Sequence, residues 1–372
     1  MKTVYITMMK KESEKDLKGL RDQIDSIDAD ILNLINQRLK IGQKVGEIKK
    51  EKGGQILDRS RERKVIEKLS ELNQGPADEE ILKYIFNVII TATRDIQKPK
   101  TISFLGPEAS YTHIAALAHF KHSGKFVEQS NLYEIFREVE KKESHFGVVP
   151  VENSIEGAVN HTLDLFADFD VHVCAEHYEP VSHDLLSITG EPNDVEKIYS
   201  HPQALAQCKA WIKKKFGHAD LFETSSTSKA ALLASEDKTI AAIASKQAAH
   251  LYELQTVESK IEDYSGNITR FLVIGKNIPE PTGKDKTSIM FATSHVPGAL
   301  FKTLAPVNKA GLNMLKLESR PTRHHDWSYY FFLDIAGHQQ DKIVAHTIEE
   351  IKKYSLSLKI LGSYPVYVKE DA

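Results

Sequence analysis

The chain has 372 residues, 41% apolar and 27% charged, the balance of an ordinary globular protein, and at about 150 residues per domain its length calls for two or three domains. Its 49 basic and 52 acidic residues leave a formal charge of −3, which excludes a broad basic field for nucleic acid. No apolar run approaches the roughly 18 residues of a spanning helix, Lys10-Lys11-Glu12 interrupts any signal-peptide core, and Cys174 and Cys208 are too few for a disulfide framework, so the expectation is a cytoplasmic, multi-domain protein.

From Leu17 apolar residues recur at alternating steps of three and four: Leu17, Leu20, Ile24, Ile27, Ile31, Leu34, Ile41, Val45 and Ile48, with Arg38 completing the row. This heptad seam predicts one helix from about residue 13 to 51, ended by Gly53-Gly54. A second stripe, Asp58, Glu62, Val65, Leu69 and Leu72, stops at Gly75-Pro76. A third helix over 78–97 sets Leu82, Phe86, Ile89, Thr93 and Ile96 close to one face. The first helix is too long for the other two to cover, which predicts a helical dimer.

Charged residues break these stripes. A buried charge costs several kcal/mol unless paired, so the set is either an internal salt-bridge network or a pocket for a charged ligand. Arg21, Arg38, Lys49 and Arg61 supply more cations than Asp58 and Glu62 need, a surplus that points to a small polyanion inside a helical bundle.

The series Leu20-Arg21, Arg38, Lys49, Asp58, Arg61-Glu62, Thr93 and Gln97 resembles the all-α type of chorismate mutase over roughly residues 15–97. The resemblance implies that Arg38, and Arg21 reaching in from a partner subunit, hold the two carboxylates of chorismate. It places Lys49 and Gln97 at the ether oxygen as the catalytic pair, and Asp58, Arg61, Glu62 and Thr93 along the wall. Those residue types suit the chemistry. A Claisen rearrangement requires no nucleophile, only a compact conformer and donors placed where charge grows on the breaking C–O bond. Arginine forks suit carboxylates.

After Pro99 the period changes. Thr101–Leu105, Gly147–Val151, Val171–Ala175, Leu185–Thr189 and Lys197–Tyr199 read as strands, with a helix through Ala115, Ala116 and Ala118 and another after Glu152-Asn153-Ser154 to about Ala167. The alternation predicts an open α/β sheet, in two lobes around a cleft. Polar clusters of helix-cap composition recur at the joints: Ser110-Tyr111-Thr112, Glu152-Asn153-Ser154, Ser200-His201-Pro202-Gln203 and Ser225-Ser226-Thr227-Ser228. Gathered in a cleft, such ends would present N–H groups and hydroxyls to a carboxylate. There is no Gly-x-Gly-x-x-Gly for a nucleotide.

The segments Phe104 to Tyr111, Val148 to Ser154, Tyr199 to Gln203, Ser226-Thr227 and Asn267 to Phe271 resemble prephenate dehydratase. That resemblance implies a two-lobed fold like a periplasmic binding protein, with Thr269 as the central catalytic residue and Glu152, Asn153, Ser200, Gln207 and Arg270 around the prephenate. Thr269 would assist departure of hydroxide as the carboxylate fragments. Arg270, next to it on a strand, would point to the opposite face, where a structural salt bridge is the alternative role.

Gly283-Lys284-Asp285-Lys286, after two prolines, reads as a linker. Beyond it, strand (287–292), helix (297–309), strand (312–318), strand (328–335), helix (341–354) and strand (358–368) make a β-α-β-β-α-β order, a split ferredoxin-like unit. Pro297 to Leu300 and Leu317 to Pro321 resemble the ACT type of amino-acid-binding regulatory domain. The resemblance implies a phenylalanine site between paired modules, lined by Gly298, Ala299, Leu300, Asn313, Glu318, Ser319 and Arg320. His324-His325 reads as a solvated loop pair, since adjacent histidines point apart and no further ligand spacing supports a metal.

Together these resemblances identify the chain as a member of the bifunctional chorismate mutase–prephenate dehydratase family. They imply a mutase domain at 1–99, a dehydratase domain at 100–280 and a regulatory domain at 285–372. They further imply chorismate and prephenate as substrates, L-phenylalanine as effector, a homodimer or tetramer, and neither cofactor nor metal. An arogenate-preferring second site and a non-catalytic amino-acid sensor are the alternatives.

Overall fold

The computed structural model describes residues 2–51, 59–97, 99–121, 124–321 and 329–367, with the backbone alone at 2–16, 49–51, 59–60 and 94–95. The chain divides into two compact units, Met1–Pro99 and Lys100–Ala372.

The first unit is α1 (Lys2–Glu51), α2 (Arg59–Leu72) and α3 (Glu79–Gln97). Helix α1 begins well before the residue at which the apolar stripe starts, and at 1.5 Å per residue its 50 residues span about 75 Å. Asp78 caps α3, its carboxylate accepting from the Ile81 N–H at 2.7 Å. Helix α3 seats against α1 at two buried glycines one turn apart. A Cβ on Gly42 would overlap the Thr93 side chain, and one on Gly46 would lie 2.8 Å from Gln97 Cγ. The apolar seam is turned away from this contact, its nine apolar residues from Leu17 to Ile48 remaining 41–63% exposed. The stripes of α2 and α3 also end differently from expectation. Leu72 and Ile96 are exposed while Ile90 is buried, because a 3.6-residue period carries the buried side of α3 through Ile89, Ile90 and Thr93 to Gln97.

The second unit opens with β1 (Thr101–Leu105), α4 (Tyr111–Phe120), β2 (Lys125–Gln129), α5 (Leu132–Glu140), β3 (Phe146–Asn153), β4 (Gly157–Ala158), α6 (Asn160–Asp168) and β5 (His172–Pro180). The helix expected straight after Ser154 does not form there. The strand runs on through Asn153 into a tight hairpin with β4, and helix resumes only at Asn160. The chain then builds a second lobe from β6 (Asp184–Ser187), β7 (Lys197–Ser200), α7 (Pro202–Gln207), α8 (Lys209–Lys215), β8 (Asp220–Glu223), α9 (Thr227–Ala234), β9 (Ile240–Ala244), α10 (Lys246–Leu251) and β10 (Gln255–Glu258). It returns as β11 (Ile268–Gly275), which inserts between β3 and β5 of the first lobe. The two sheets run β2-β1-β3-β11-β5 and β10-β6-β9-β7-β8. The returning strand sets the site: antiparallel register places Thr269 opposite Asn153 and Arg270 opposite Glu152.

The last segment is β12 (Asp285–Ala292), α11 (Ala299–Lys309), β13 (Met314–Pro321), β14 (Tyr329–Ala336), α12 (Lys342–Lys353) and β15 (Ser357–Pro365), forming an antiparallel sheet of order β13-β14-β12-β15. The expected linker is only partly one. Asp285 and Lys286 are buried in β12. Burial would raise the Asp285 carboxyl, but hydrogen bonds from Thr282 and Gly283 hold it below the usual carboxylate range. Met290, Phe332, Leu361 and Tyr364 pack into one core with Leu163, Phe166, Val173 and Leu272, so this sheet is fused to the first lobe rather than tethered beside it. Among the described residues no helix is long and apolar enough to cross a membrane, and no cluster could hold a metal ion.

Candidate active sites

In the helical unit, Arg38 donates from Nη1 to Thr93 Oγ1 and to the Ile89 carbonyl at 3.3 Å. Gln97 Nε2 donates to the Gly42 carbonyl at 3.0 Å. A guanidinium, a hydroxyl and a carboxamide thus meet along one stretch of the α1–α3 seam, where the buried glycines let the helices close. Arg61 and Glu62 open α2, the first exposed and the second half-buried. Arg21 is exposed, and its seventeen-residue separation puts it about 25 Å up α1 from Arg38. One chain therefore cannot bring both arginines to one small molecule. Asp58 and the Lys49 side chain lie outside the described residues.

Between the lobes of the second unit lies a cleft of about 500 Å³. All four polar clusters contribute to its lining, through residues such as Ser110, Asn153, Gln203 and Ser226. Ser110 and Ser226 cap α4 and α9, accepting from the N–H groups of His113 and Lys229.

At the floor, Asn153 Oδ1 accepts the backbone N–H groups of Ile155 (2.9 Å) and Glu156 (3.2 Å). A backbone N–H only donates, so the amide cannot be reversed, and Nδ2 must face Asn267 Oδ1 at 2.7 Å and Thr269 Oγ1 at 2.8 Å. Thr269 is therefore an acceptor in that pair and keeps its own hydrogen for the cleft. The fixed polarity extends outward from Asn153. Asn267 Nδ2 donates to Gln207 Oε1 at 3.2 Å, so His183 Nε2, 3.0 Å from that oxygen, is a donor as well. Burial holds His183 below the ordinary imidazole range, against the upward pull of Gln207, so it is a neutral ring protonated on Nε2. Tyr111 donates to the Ser182 carbonyl beside it, and burial raises its phenol.

Of the six residues expected around prephenate, Asn153, Gln207 and Thr269 line the cleft. The other three face elsewhere. Ser200 is fully buried and its hydroxyl donates to the Ile243 carbonyl at 2.6 Å, stapling β7 to β9. Glu152 and Arg270 leave the opposite face of β3 and β11 because strand side chains alternate. Glu152 meets Lys316 at 2.6 Å, and Arg270 meets Glu176 at 3.0 Å and Asp334 at 2.8 Å. Asn267 and His183, which join this network, had no expected role in the site. Asn267 had a signal, standing two residues before Thr269 and just ahead of β11. His183 had none.

In the last sheet a hollow of about 370 Å³ opens at the start of α11, lined by Pro297, Ala299, Leu300, Tyr329 and Phe331 among others. Gly298 caps that helix at φ 78°, a left-handed conformation that favours glycine. Asn313 is exposed, and Glu318, Ser319 and Arg320 lie on the edge strand β13, outside the hollow's lining. Residues 324 and 325 lie outside the described residues.

Comparison with known proteins follows this division. Residues 20–98 match the family model of type II chorismate mutase and residues 102–279 that of prephenate dehydratase. The bifunctional chorismate mutase/prephenate dehydratase of Aquifex aeolicus (strain VF5) is 43% identical over 355 residues, covering 94% of this chain and 98% of that one. Its counterpart from Stutzerimonas stutzeri is 41% identical over 360 residues, covering 95% and 99%. Among solved structures, prephenate dehydratase of Arthrobacter aurescens in complex with L-Phe superposes with a TM-score of 0.67 at 31% identity, covering 73% of this chain and 92% of that one. The chain belongs to the bifunctional chorismate mutase/prephenate dehydratase family.

Proposed function

We propose that the two units carry consecutive reactions, chorismate to prephenate in the helical unit and prephenate to phenylpyruvate in the interlobe cleft. The observation that carries this reading is the fixed polarity at Asn153, which leaves the Thr269 hydroxyl aimed as a donor into a cleft rimmed by helix caps. In the cleft the ring carboxylate of prephenate leaves as carbon dioxide. Its bonding pair moves into the ring and the ring hydroxyl departs as hydroxide, which one proton taken up from the solvent converts to water. Thr269 stabilises the charge growing on that oxygen, and the N–H groups at the starts of α4 and α9 receive the side-chain carboxylate.

In the helical unit Arg38 takes one carboxylate of chorismate, and Gln97 with Lys49 faces the ether oxygen. Arg21 is supplied by a second copy, paired along the exposed seam of α1, and Asp58, Arg61, Glu62 and Thr93 complete the wall. The last sheet is a ferredoxin-like ACT module. Phenylalanine occupies the hollow at Gly298, Ala299 and Leu300, and a second module brings Asn313 and Glu318–Arg320 across from its edge strand. Support comes from the exposed apolar residues Leu315 and Leu317 on β13, which among the described residues pairs only with β14.

Incubating the purified protein with chorismate alone tests the scheme. Prephenate should rise and then fall as phenylpyruvate accumulates. Prephenate accumulating without phenylpyruvate would remove the assignment of the cleft.

A further inference from the structure

Thr269 and Asn153 face the cleft, and their immediate neighbours Arg270 and Glu152 face the C-terminal sheet behind it. There three carboxylates, Glu152, Glu176 and Asp334, meet three cations, Arg270, Lys286 and Lys316. Arg270 bonds Glu176 and Asp334, and it also donates to Tyr364 Oη at 3.1 Å. Lys286 reaches Glu176 at 2.8 Å and Lys316 reaches Glu152 at 2.6 Å. Ser288 donates to Asp334 at 2.5 Å and lies 2.7 Å from Tyr364 Oη. Every strand of the C-terminal sheet therefore contributes: β12 by Lys286 and Ser288, β13 by Lys316, β14 by Asp334 and β15 by Tyr364. The catalytic lobe answers with β3, β5 and β11.

Side chains at the centre are almost wholly buried, Arg270 at 7% exposure and Glu176 at 1%. Buried ion pairs give little net cohesion over apolar packing of the same volume, so cohesion does not account for six charges behind two cleft residues. Position does. We infer that this cluster is the link through which the C-terminal sheet sets the placement of Thr269 and Asn153, with Asp334 and Lys316 as positioning residues for the dehydratase. The inference rests on the reading that Thr269 acts in the cleft and that the module binds phenylalanine.

The arrangement has two ways to balance charge. With Lys316 in place, Glu152 is neutralised from β13, and Arg270 Nη1 stands back from it at 4.0 Å. If a ligand moves β13, Glu152 loses its lysine and draws the guanidinium away from Asp334. Arg270 is bonded through one peptide to Thr269, so a shift of the guanidinium is felt at the hydroxyl. Displacements of about 1 Å at a reacting group are enough to change rates up to a hundredfold.

The test uses the full-length protein and three variants, Asp334→Asn, Lys316→Met and Lys316→Arg. It measures dehydratase kcat and KM with and without phenylalanine, phenylalanine binding by calorimetry, and mutase activity of the same chain as the control for folding. Asp334→Asn should lower dehydratase kcat by about tenfold or more without effector, with KM changed by less than about threefold and the mutase unaffected. Lys316→Met should bind phenylalanine as the parent does yet show maximal inhibition about tenfold weaker at saturating phenylalanine, and Lys316→Arg should restore the parental response. Parental kcat in Asp334→Asn together with parental inhibition in Lys316→Met would overturn the inference. If the parent itself binds no phenylalanine, the effector reading fails, and the kcat of Asp334→Asn still decides the positioning role. If Asp334→Asn does not fold, Lys316→Met decides, because its side chain sits nearer the rim at 17% exposure.

Discussion

A carboxamide and a carboxylate have the same shape and opposite hydrogen-bonding sense, and at position 153 that difference governs the cleft. Asn153 Nδ2 donates to Thr269 and leaves the threonine hydrogen for the cleft. Asn153→Asp would present an oxygen instead, and the hydroxyl would turn toward it. Dehydratase kcat should then fall by roughly 10²–10³, as for the loss of one oriented donor in Thr269→Val, while Thr269→Ser keeps most of the rate. Activity of Asn153→Asp should recover as pH falls, because the protonated carboxyl donates again. Steady-state rates across a pH series check this, and a pH-independent rate close to the parent would contradict it. Asn153 and Thr269 were legible in the sequence as members of two motifs. Which way the hydroxyl points was not, because it depends on two N–H groups in a hairpin that the sequence presents as the start of a helix.

Helix α1 shows how one residue type plays opposite roles along one element. Gly19 has open space around it, whereas Gly42 and Gly46 face α3. Gly19→Ala should therefore stabilise the helix by about 1 kcal/mol through propensity alone. Gly42→Ala gains the same propensity but forces a methyl group into Thr93, and overpacking of that kind costs about 1–3 kcal/mol. Thermal unfolding followed at the helical signal should move up for the first and down for the second, with mutase activity falling only in Gly42→Ala. The same direction of shift for both would show that α3 does not close on these glycines. Periodicity made the helices visible in the sequence, yet it could not tell the two kinds of glycine apart, since both fall between the seam positions. The strand at Thr101–Leu105 emerged with its observed bounds. Residues 285 and 286 were missed as strand because their buried charges are balanced by Thr282, Gly283 and Glu176, partners that composition does not reveal.

At the scale of the molecule, the sequence separates cleanly at Pro99, where a seven-residue period gives way to alternating strand and helix. It suggests a second division near residue 284 that packing blurs. Residues of the last sheet complete the core of the first lobe, and Arg270 finds its partner Asp334 there. Removing that sheet would expose apolar surface and leave a buried guanidinium short of a carboxylate. Point variants are thus cleaner probes of regulation than truncation. Nine exposed seam residues on α1 likewise mark a surface that a second copy covers in the proposed assembly. The proposed function places two separate chemistries in the two units of one chain. Arg38→Ala and Thr269→Val, each assayed separately on chorismate and on prephenate, decide whether they are independent. Arg38→Ala should lose the mutase reaction and turn over prephenate at the parental rate, and Thr269→Val should do the reverse. Loss of both reactions in either folded variant would contradict the assignment.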